Sequence, residues 1–151
     1  VRKRGNYRIP IGTPLRFALN YAEAEDDLGQ VFLGGPMMGQ ALPSLDIPIT
    51  KGTSGFVAFR RDQSLRTQPA YPCINCGYCV DACPLFLNPA RLGVLALNER
   101  FEEMAQENHL MDCFECGSCA YVCPAHIPLV QRFRGAKAYV RKNAQKDRAK
   151  T

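Results

Sequence analysis

Eight cysteines, arranged in two runs of four, are the residues of this chain most suited to chemistry. The first run occupies residues 73–84 and the second occupies residues 113–124. Within each run, three cysteines stand three positions apart, and a fourth follows immediately before a proline. The runs repeat at a spacing of forty residues, since Cys73 matches Cys113. Three cysteines within seven residues, repeated as a unit, favour metal ligation over disulfide pairing.

Each run has the pattern C-x-x-C-x-x-C-x-x-x-C-P, which is typical of [4Fe–4S] ligands in bacterial ferredoxins. Each two-residue step reaches a new iron corner, and in two-cluster ferredoxins the fourth cysteine crosses to the other cluster. Gly77 and Gly117 stand at matching places, where the backbone must turn sharply or approach sulfide closely. We therefore predict crossed ligation, with two ligand sets: Cys73, Cys76, Cys79 and Cys123 for the first cluster, and Cys113, Cys116, Cys119 and Cys83 for the second.

Two Cys₄ zinc sites are the competing interpretation of the cysteines. Zinc ribbons bring C-x-x-C pairs from separate turns, whereas each run here places three cysteines in one loop, so iron–sulfur clusters are favoured. His109 and His126 lie near the runs, but a ligand role for either is disfavoured because eight cysteines already complete both sets. Tyr78 and Tyr121 are predicted to pack near the clusters and exclude water rather than to carry electrons.

Composition places the chain among ordinary globular proteins. It has 151 residues, of which 46% are apolar and 22% charged, and these fractions argue against wholesale disorder. The longest apolar runs are far shorter than the roughly 20 residues needed to span a bilayer. No apolar segment of a signal peptide follows the basic start, and the missing initiator Met indicates a piece of a longer protein. Free thiolates and exposed clusters point to a reducing compartment, the cytoplasm.

The net charge of +5 is concentrated near the C-terminus, where eight basic residues lie between Arg132 and Lys150. A solvated helix face is the simplest interpretation. The alternative is a patch that attracts an acidic redox partner or anionic lipid head groups. Nucleic acid is disfavoured as a partner because the chain has no Trp and no aromatic-rich basic strand.

The first sixty residues contain no cysteine and are rich in glycine and β-branched residues. Thr13 as N-cap and Pro14 at the first helical position predict a helix that runs through about Ala24. The polar, proline-punctuated residues 61–72 predict a linker. Hydrophobic patterning predicts four strands, at residues 6–11, 31–33, 46–51 and 56–59.

A glycine-rich segment, Gly-Gly-Pro-Met-Met-Gly, occupies residues 34–39. A phosphate-binding loop is disfavoured there because no Lys-Ser or Lys-Thr follows. The favoured interpretation is a turn whose two methionines, Met37 and Met38, pack into a core.

The region around and after the cysteine runs is predicted to be helical. Asn88 as N-cap and Pro89 at the first position open one helix, which is expected to continue through about Gln106. Pro128 opens another helix after the second run, and this helix is expected to fray over residues 142–151.

Nearly all of residues 1–145 resembles a known family. Residues 34–39, then Leu-Asp-Ile-Pro-Ile-Thr-Lys-Gly-Thr-Ser-Gly at 45–55, then the two cysteine runs are similar to the C subunit of the Rnf (Rsx) ion-translocating electron-transport complex. Residues 116–124, followed by Ile-Pro-Leu-Val-Gln at 127–131, are especially similar. The cysteine runs are shared with many ferredoxins, whereas their combination with the Gly-Gly-Pro-Met-Met-Gly segment is specific.

The resemblance implies an α+β fold with two domains. Residues 1–60 are expected to form a small β-grasp domain of the SLBB type, truncated at its N-terminus. After the linker at 61–72, residues 73–145 are expected to form an α-helical ferredoxin-like domain with two [4Fe–4S] clusters. Residues 146–151 are then a basic tail.

The resemblance also implies a setting for the chain. In the family, an upstream domain related to the NADH-binding subunit of respiratory complex I binds FMN and NADH. Its glycine-rich loop is absent from this sequence, so this piece alone is not expected to oxidise NADH. The expected location is peripheral, on the cytoplasmic face of the bacterial inner membrane. The expected partners are other Rnf subunits, integral and ferredoxin-like, with ferredoxin as a further candidate.

Three functions fit the sequence. The leading one is an electron-transfer module of a membrane-bound, ion-translocating NAD/ferredoxin oxidoreductase. The second is an iron–sulfur subunit of another assembly, such as heterodisulfide reductase or anaerobic glycerol-3-phosphate dehydrogenase. Subunits of those assemblies are not expected to carry residues 30–55 in this form. The third is a non-redox module in which residues 1–60 bind a ligand or partner and the metal only stabilises the fold.

Overall fold

The computed structural model describes residues 1–3, 5–24, 26–35, 37–62 and 69–148. The chain divides into two compact units, Val1–Thr67 and Gln68–Thr151, here called unit 1 and unit 2. Six residues of the predicted linker, 63–68, lie outside the described residues. The assignment of the chain to named domains stays a prediction.

Unit 1 combines a short helix with a three-stranded antiparallel sheet in the order β2-β1-β3. The central strand pairs with both neighbours, and Leu33 lies opposite Gln40 on one side and Phe56 on the other. The elements are α1 (Leu15–Tyr21), β1 (Leu28–Leu33), β2 (Gln40–Ala41) and β3 (Phe56–Arg60). Leu15 and Leu19, one helical turn apart, bury the same face of α1 with Val31 of β1, so the helix and the sheet share one small core.

Two of the four predicted strands are wrong. Residues 6–11 and 46–51 form no strand, and the region contributes only an isolated bridge between Pro14 and Pro48. Proline has no backbone N–H to donate, so alternating segments interrupted by Pro10 and Pro48 cannot extend a regular ladder.

The other two strand predictions are confirmed, and both strands extend further than expected. The predicted strand at 31–33 lies within β1, and that at 56–59 lies within β3. Strand β2 was not predicted, because two residues carry no detectable alternation. The mixture of a small sheet with helices agrees with the α+β class, whereas the SLBB-like β-grasp identity stays a prediction.

Helix α1 and the glycine-rich segment each differ in part from their prediction. The helix exists, but Pro14 is its N-cap and Tyr21 its last residue. The Thr13 hydroxyl donates instead to the Pro10 carbonyl at 2.8 Å, so it does not cap the helix. Met37 and Met38 do lie in a turn, but both are exposed, so their predicted packing into a core is wrong.

Unit 2 is helical in its described residues. Its α-helices are α2 (Tyr78–Asp81), α3 (Pro89–Leu97), α4 (Phe101–Gln106), α5 (Ser118–Tyr121) and α6 (Leu129–Arg148). A 3₁₀ turn at Leu110–Asp112 precedes the second cysteine run. The buried core joins α3, α4 and α6 through Leu92, Leu95, Met104 and Phe133.

The prediction of a single helix through Gln106 is wrong, because α3 ends at Leu97 and a separate helix, α4, begins at Phe101. Glu99 has a positive φ of 56°, a left-handed conformation that ends a helix. The Arg100 N–H donates to the Leu95 carbonyl at 3.0 Å, and the Glu99 N–H donates to the Ala96 carbonyl at 3.3 Å. This is the Schellman arrangement, which satisfies the last carbonyls of a helix without a glycine.

Other helix boundaries follow the sequence signals more closely. The predicted N-cap is confirmed, since the Asn88 side-chain oxygen accepts from the Arg91 N–H at 2.9 Å. Helix α6 begins one residue after Pro128 and continues to Arg148, so the predicted fraying of residues 142–148 is wrong. Residues 149–151 of that prediction lie outside the described residues. In the part of the chain that the structure describes, no helix has the length and apolar character needed to cross a membrane.

Candidate iron–sulfur sites

The two cysteine runs adopt the same backbone conformation twice. Positive φ angles recur at a spacing of forty residues, in three pairs: Asn75 (55°) and Glu115 (62°), Gly77 (83°) and Gly117 (89°), Phe86 (54°) and His126 (51°). The predicted sharp turns at the two glycines are therefore confirmed, and glycine reaches such angles without strain. One turn of helix follows each glycine, α2 in the first run and α5 in the second. The sequence repeat is thus also a structural repeat.

The first cavity takes three cysteines from the first run and one from the second. It has a volume of about 330 Å³, and helix α3 contributes the apolar side chains of Val94 and Leu97 to its lining. The Tyr71 N–H donates to the Ala125 carbonyl at 2.9 Å, which ties the start of the first run to the end of the second. The four cysteines that line the first cavity are Cys73, Cys76, Cys79 and Cys123.

The second cavity reverses this division, with three cysteines from the second run and one from the first. It is far smaller, at about 20 Å³, and Leu92, Val130 and Phe133 form much of its apolar lining. Its four cysteines are Cys83, Cys113, Cys116 and Cys119. The fold therefore brings together the same two groups of four that the crossed pattern predicts, each around its own cavity.

The donor chemistry of both cavities suits an iron–sulfur cluster. Four cysteine thiolates are the usual ligands of a [4Fe–4S] cluster, one at each iron. Among the described residues, no group of three or more His, Cys, Asp or Glu side chains is arranged to hold a single metal ion. The cysteine side chains instead surround cavities between the two runs.

The two cavities differ in how far their cysteines are buried. Cys73 and Cys76 are exposed, whereas Cys113 and Cys116 are half-buried. Cys119 is only 8% exposed. Burial, with the neighbouring Cys113 and Cys116 thiolates as lesser causes, raises the pKa of Cys119 to about 12.

Burial likewise raises the pKa of Cys79 and of Cys113. A thiol must lose its proton to bind iron, so metal binding at these three cysteines would release protons.

An ionic cluster holds the loop of the second run. Glu115 stands between Cys113 and Cys116, and its carboxylate lies 2.7 Å from Arg134 Nε and 3.1 Å from Lys137 Nζ, both on α6. The Lys137 ammonium also donates to the Cys113 carbonyl and is only 3% exposed.

The electrostatics of this cluster favour an ionised carboxylate. Burial by itself acts to raise the pKa of Glu115, but the hydrogen bonds from Arg134 and Lys137 outweigh it and bring the pKa below its usual value. The three groups thus form a charge-assisted network at the surface of α6 that faces the second run.

Sequence reasoning missed this network. The sequence predicts that Lys137 belongs to a solvated basic face or patch, and this prediction is wrong because its side chain is buried. The only available signal was the three-residue spacing of Arg134 and Lys137, which puts both on one helix face. Nothing in the sequence pairs that face with Glu115, which lies some twenty residues earlier.

The histidines and tyrosines near the runs lie at the surface. His109 is exposed, and its Nδ1 lies 3.4 Å from the Asp112 carboxylate. His126 is exposed too, and the described lining of the two cavities includes neither histidine. Tyr78 and Tyr121 are also exposed, so the prediction that they exclude water is wrong. That role falls to the aliphatic and phenylalanine side chains of α3 and α6.

Both the cysteine-containing region and the wider chain are similar to known proteins. Residues 72–127 match the family described as "4Fe-4S dicluster domain". The chain is 45% identical over 147 residues to the C subunit of the ion-translocating oxidoreductase complex of Pasteurella multocida, covering 97% of this chain and 18% of that protein.

Two further relatives carry the same name. The C subunit of Pseudomonas aeruginosa is 45% identical over 142 residues, covering 93% of this chain and 18% of that protein. The C subunit of Buchnera aphidicola is 33% identical over 130 residues, covering 85% of this chain and 27% of that protein. The chain therefore spans about a fifth to a quarter of the length of these curated relatives.

Proposed function

We propose that this chain, which is homologous over nearly its whole length to the C subunit of ion-translocating oxidoreductase complexes, relays single electrons within such a complex through two [4Fe–4S] clusters. The observation that carries the proposal is the division of eight cysteines into two complete sets of four, each around its own cavity. The match to a dicluster domain supports the same class of function.

The cysteines act as ligands in this proposal. The set around the first cavity binds one cluster, and the set around the second cavity binds the other. When bound, a [4Fe–4S] cluster supplies one-electron chemistry, at potentials that span about −700 to +450 mV across proteins. The chain's own contribution is to hold four thiolates around each cavity, to exclude water with Leu92 and Phe133, and to turn the backbone sharply at Gly77 and Gly117.

Crossed ligation makes the two sites depend on each other. Each cavity takes its fourth cysteine from the other run, so neither run completes a ligand set alone. The short helices α2 and α5 each contain the third cysteine of their run and end two residues before the fourth, so each carries the chain from one cavity to the other. This arrangement keeps the two sites close, as a relay of single electrons requires.

The wider setting is part of the same proposal. The chain works as a peripheral subunit on the cytoplasmic face of a bacterial inner membrane, bound to integral and ferredoxin-like subunits, with ferredoxin as a candidate partner. FMN and NADH bind in a part of the complex outside these 151 residues. Residues 1–60 form an SLBB-like domain, and the small sheet with its packed helix supports this interpretation.

The test is iron analysis and spectroscopy of the 151-residue chain purified or loaded without oxygen. We expect about eight iron and eight sulfide atoms per chain, and visible absorption that dithionite bleaches, because each cubane carries four of each. A folded chain that takes up stoichiometric zinc and no iron contradicts the proposal.

A matched pair of variants tests the crossed assignment. Cys123→Ser should abolish the first cluster and leave Cys113, Cys116 and Cys119 protected from alkylation, as mapped by mass spectrometry. Cys83→Ser should do the reverse. If ligation is not crossed, Cys123→Ser should instead expose Cys113, Cys116 and Cys119, and Cys83→Ser should expose Cys73, Cys76 and Cys79.

A further inference from the structure

The two cysteine loops have the same backbone but different supports. Three pairs of positions, one pair in the loops and two on helices, correspond at a spacing of forty residues: Asn75 to Glu115, Val94 to Arg134, and Leu97 to Lys137. The first member of each pair lines the first cavity, with no charge among them, and Leu97 is 68% exposed. The second members form the ionic cluster of the second loop. The first loop is therefore bordered by partly exposed apolar side chains. The second loop is held by the ionic cluster of Glu115, Arg134 and Lys137, here called the anchor.

The anchor contacts the loop at two points. Lys137 Nζ donates to the Cys113 carbonyl and lies 3.1 Å from Glu115 Oε1. Glu115 holds a positive φ of 62°, as its counterpart Asn75 does at 55°, and of these two residue types only asparagine adopts this conformation readily by itself. Arg134, at 2.7 Å from the other carboxylate oxygen, adds a second tie between α6 and the loop.

Because Lys137 is buried, its ammonium group needs partners that compensate for lost hydration. An ammonium group removed from water is unfavourable unless it is paired and hydrogen-bonded. Lys137 meets that condition only while the loop keeps Cys113 and Glu115 where they are. The loop and the helix therefore hold each other in one arrangement.

We propose that Lys137 is a positioning residue, which holds the loop from Cys113 to Cys116 in its ligand-presenting conformation, so that the second cluster is retained more firmly than the first. The inference rests on the proposed ligand sets. Lys137 touches no reacting atom and acts through the loop that presents two of the ligands.

The first loop has no equivalent anchor among the described contacts. Arg132 is the cation of α6 that lines the first cavity, and its Nη1 lies 3.5 Å from the Gly93 carbonyl. That contact joins α6 to α3 rather than to the cysteine loop. Cys73 and Cys76 are exposed, which agrees with a loop that the helices leave uncovered.

The experiment follows the loss of each cluster separately. The loaded 151-residue chain is challenged with an iron chelator without oxygen, samples are alkylated at intervals, and each cysteine is quantified by mass spectrometry. In the natural sequence, Cys73, Cys76 and Cys123 should become reactive together, about tenfold faster than Cys113 and Cys116. Equal rates for the two sets would overturn the proposal.

Variants at one position identify the anchor. Lys137→Met should speed exposure of Cys113 and Cys116 about 10- to 100-fold, the usual effect of removing a partner that orients a ligand, and leave the first set unchanged. Lys137→Arg keeps the charge and should restore much of the retention. The matched control, Lys142→Met, changes an exposed lysine of the same helix and should alter neither set.

The remaining outcomes are also decisive. If Lys137→Met speeds both sets equally, Lys137 only stabilises the fold and the proposal fails. If that variant does not fold, Glu115→Gln keeps Lys137 and removes its ionic partner, and it should speed the second set alone. If the chain binds no iron, the ligand proposal fails, whereas the same mapping without chelator still tests whether Lys137 slows alkylation of Cys113 and Cys116.

Discussion

The two units of this chain build their interiors from different residues. In unit 1 the main core is a small group of aliphatic side chains, with Leu15, Leu19 and Val31 buried. In unit 2 a cysteine, Cys119, is itself a buried core member, and further cysteines of both runs pack against the same core. The comparison teaches that the described core of unit 1 contains no candidate ligand, whereas the core and the candidate site of unit 2 share side chains.

Charges are also used differently in the two units. The Arg16–Asp46 pair of unit 1, with atoms 2.7 Å apart, is exposed on both sides, and such surface pairs contribute little to stability. Lys137 of unit 2 is buried and its partner Glu115 is half-buried, and breaking a pair that leaves a buried charge unpaired costs more than breaking an exposed pair. Substitutions in unit 2 should therefore have the larger effects.

The largest expected effect comes from a buried ligand. Cys119→Ser removes one thiolate of the second set from the core, so iron should fall from about eight to about four atoms per chain. Segment-resolved hydrogen exchange should show that amide protection falls in unit 2 and stays unchanged in unit 1. Unchanged iron content would show that Cys119 is a core residue and not a ligand.

Matched core truncations in the two units come next. Phe133→Ala should destabilise unit 2 by about 3–5 kcal/mol, and it should also speed iron loss because Phe133 lines the second cavity. Leu15→Ala should destabilise unit 1 by about 2–5 kcal/mol with iron content unchanged. Denaturant-dependent hydrogen exchange of each segment measures both. Iron loss from the unit 1 variant would contradict the independence of its core.

A smaller effect is expected at the turn of the first run. Gly77→Ala should destabilise unit 2 by about 1–2 kcal/mol, because its φ of 83° is left-handed and unfavourable for a residue with a Cβ atom. A Cβ atom there meets no neighbour within 4 Å, so the cost comes from the backbone alone. The control, Gly52→Ala in unit 1, also meets no neighbour and should change stability by less than about 0.5 kcal/mol.

The smallest effect concerns pH and the exposed pair of unit 1. The hydrogen bond from Arg16 lowers the pKa of Asp46 below its ordinary 3.8. A carboxyl with a lowered folded pKa stabilises the fold above its unfolded pKa, and this contribution is lost as pH falls through the folded value. The stability difference between the natural chain and Asp46→Asn, measured in unit 1, should therefore shrink below about pH 4. A stability difference that does not change with pH would show that the contribution of Asp46 does not come from its charge.

Sequence-based predictions succeeded where a residue acts through its own backbone or its nearest neighbours. Asn88 caps α3 through a bond three residues away, and Gly77 turns the first run by its own φ angle. Predictions failed where distant parts of the chain decide. The alternating residues 46–51 pair with residues 12–15 through an isolated bridge and not a regular ladder. Glu99 adopts a left-handed conformation that its residue type does not signal.

The candidate site divides in the same way. The grouping of the cysteines around two cavities follows from a pattern that repeats at forty residues, because a short loop allows only a few ways to surround a cluster. The burial of Lys137 and its pairing with Glu115 could not be predicted, since one charged residue in a basic helix resembles any other.

By itself, the amino-acid sequence determined the candidate ligands, the repeated loops and the sharp turns, because these depend on residues within a few positions of one another. Only the tertiary structure decided which loop is anchored by a buried charge and which is left open. Those differences arise when helix α6 packs against the second run, since burial and charge pairing depend on neighbours that are remote along the chain.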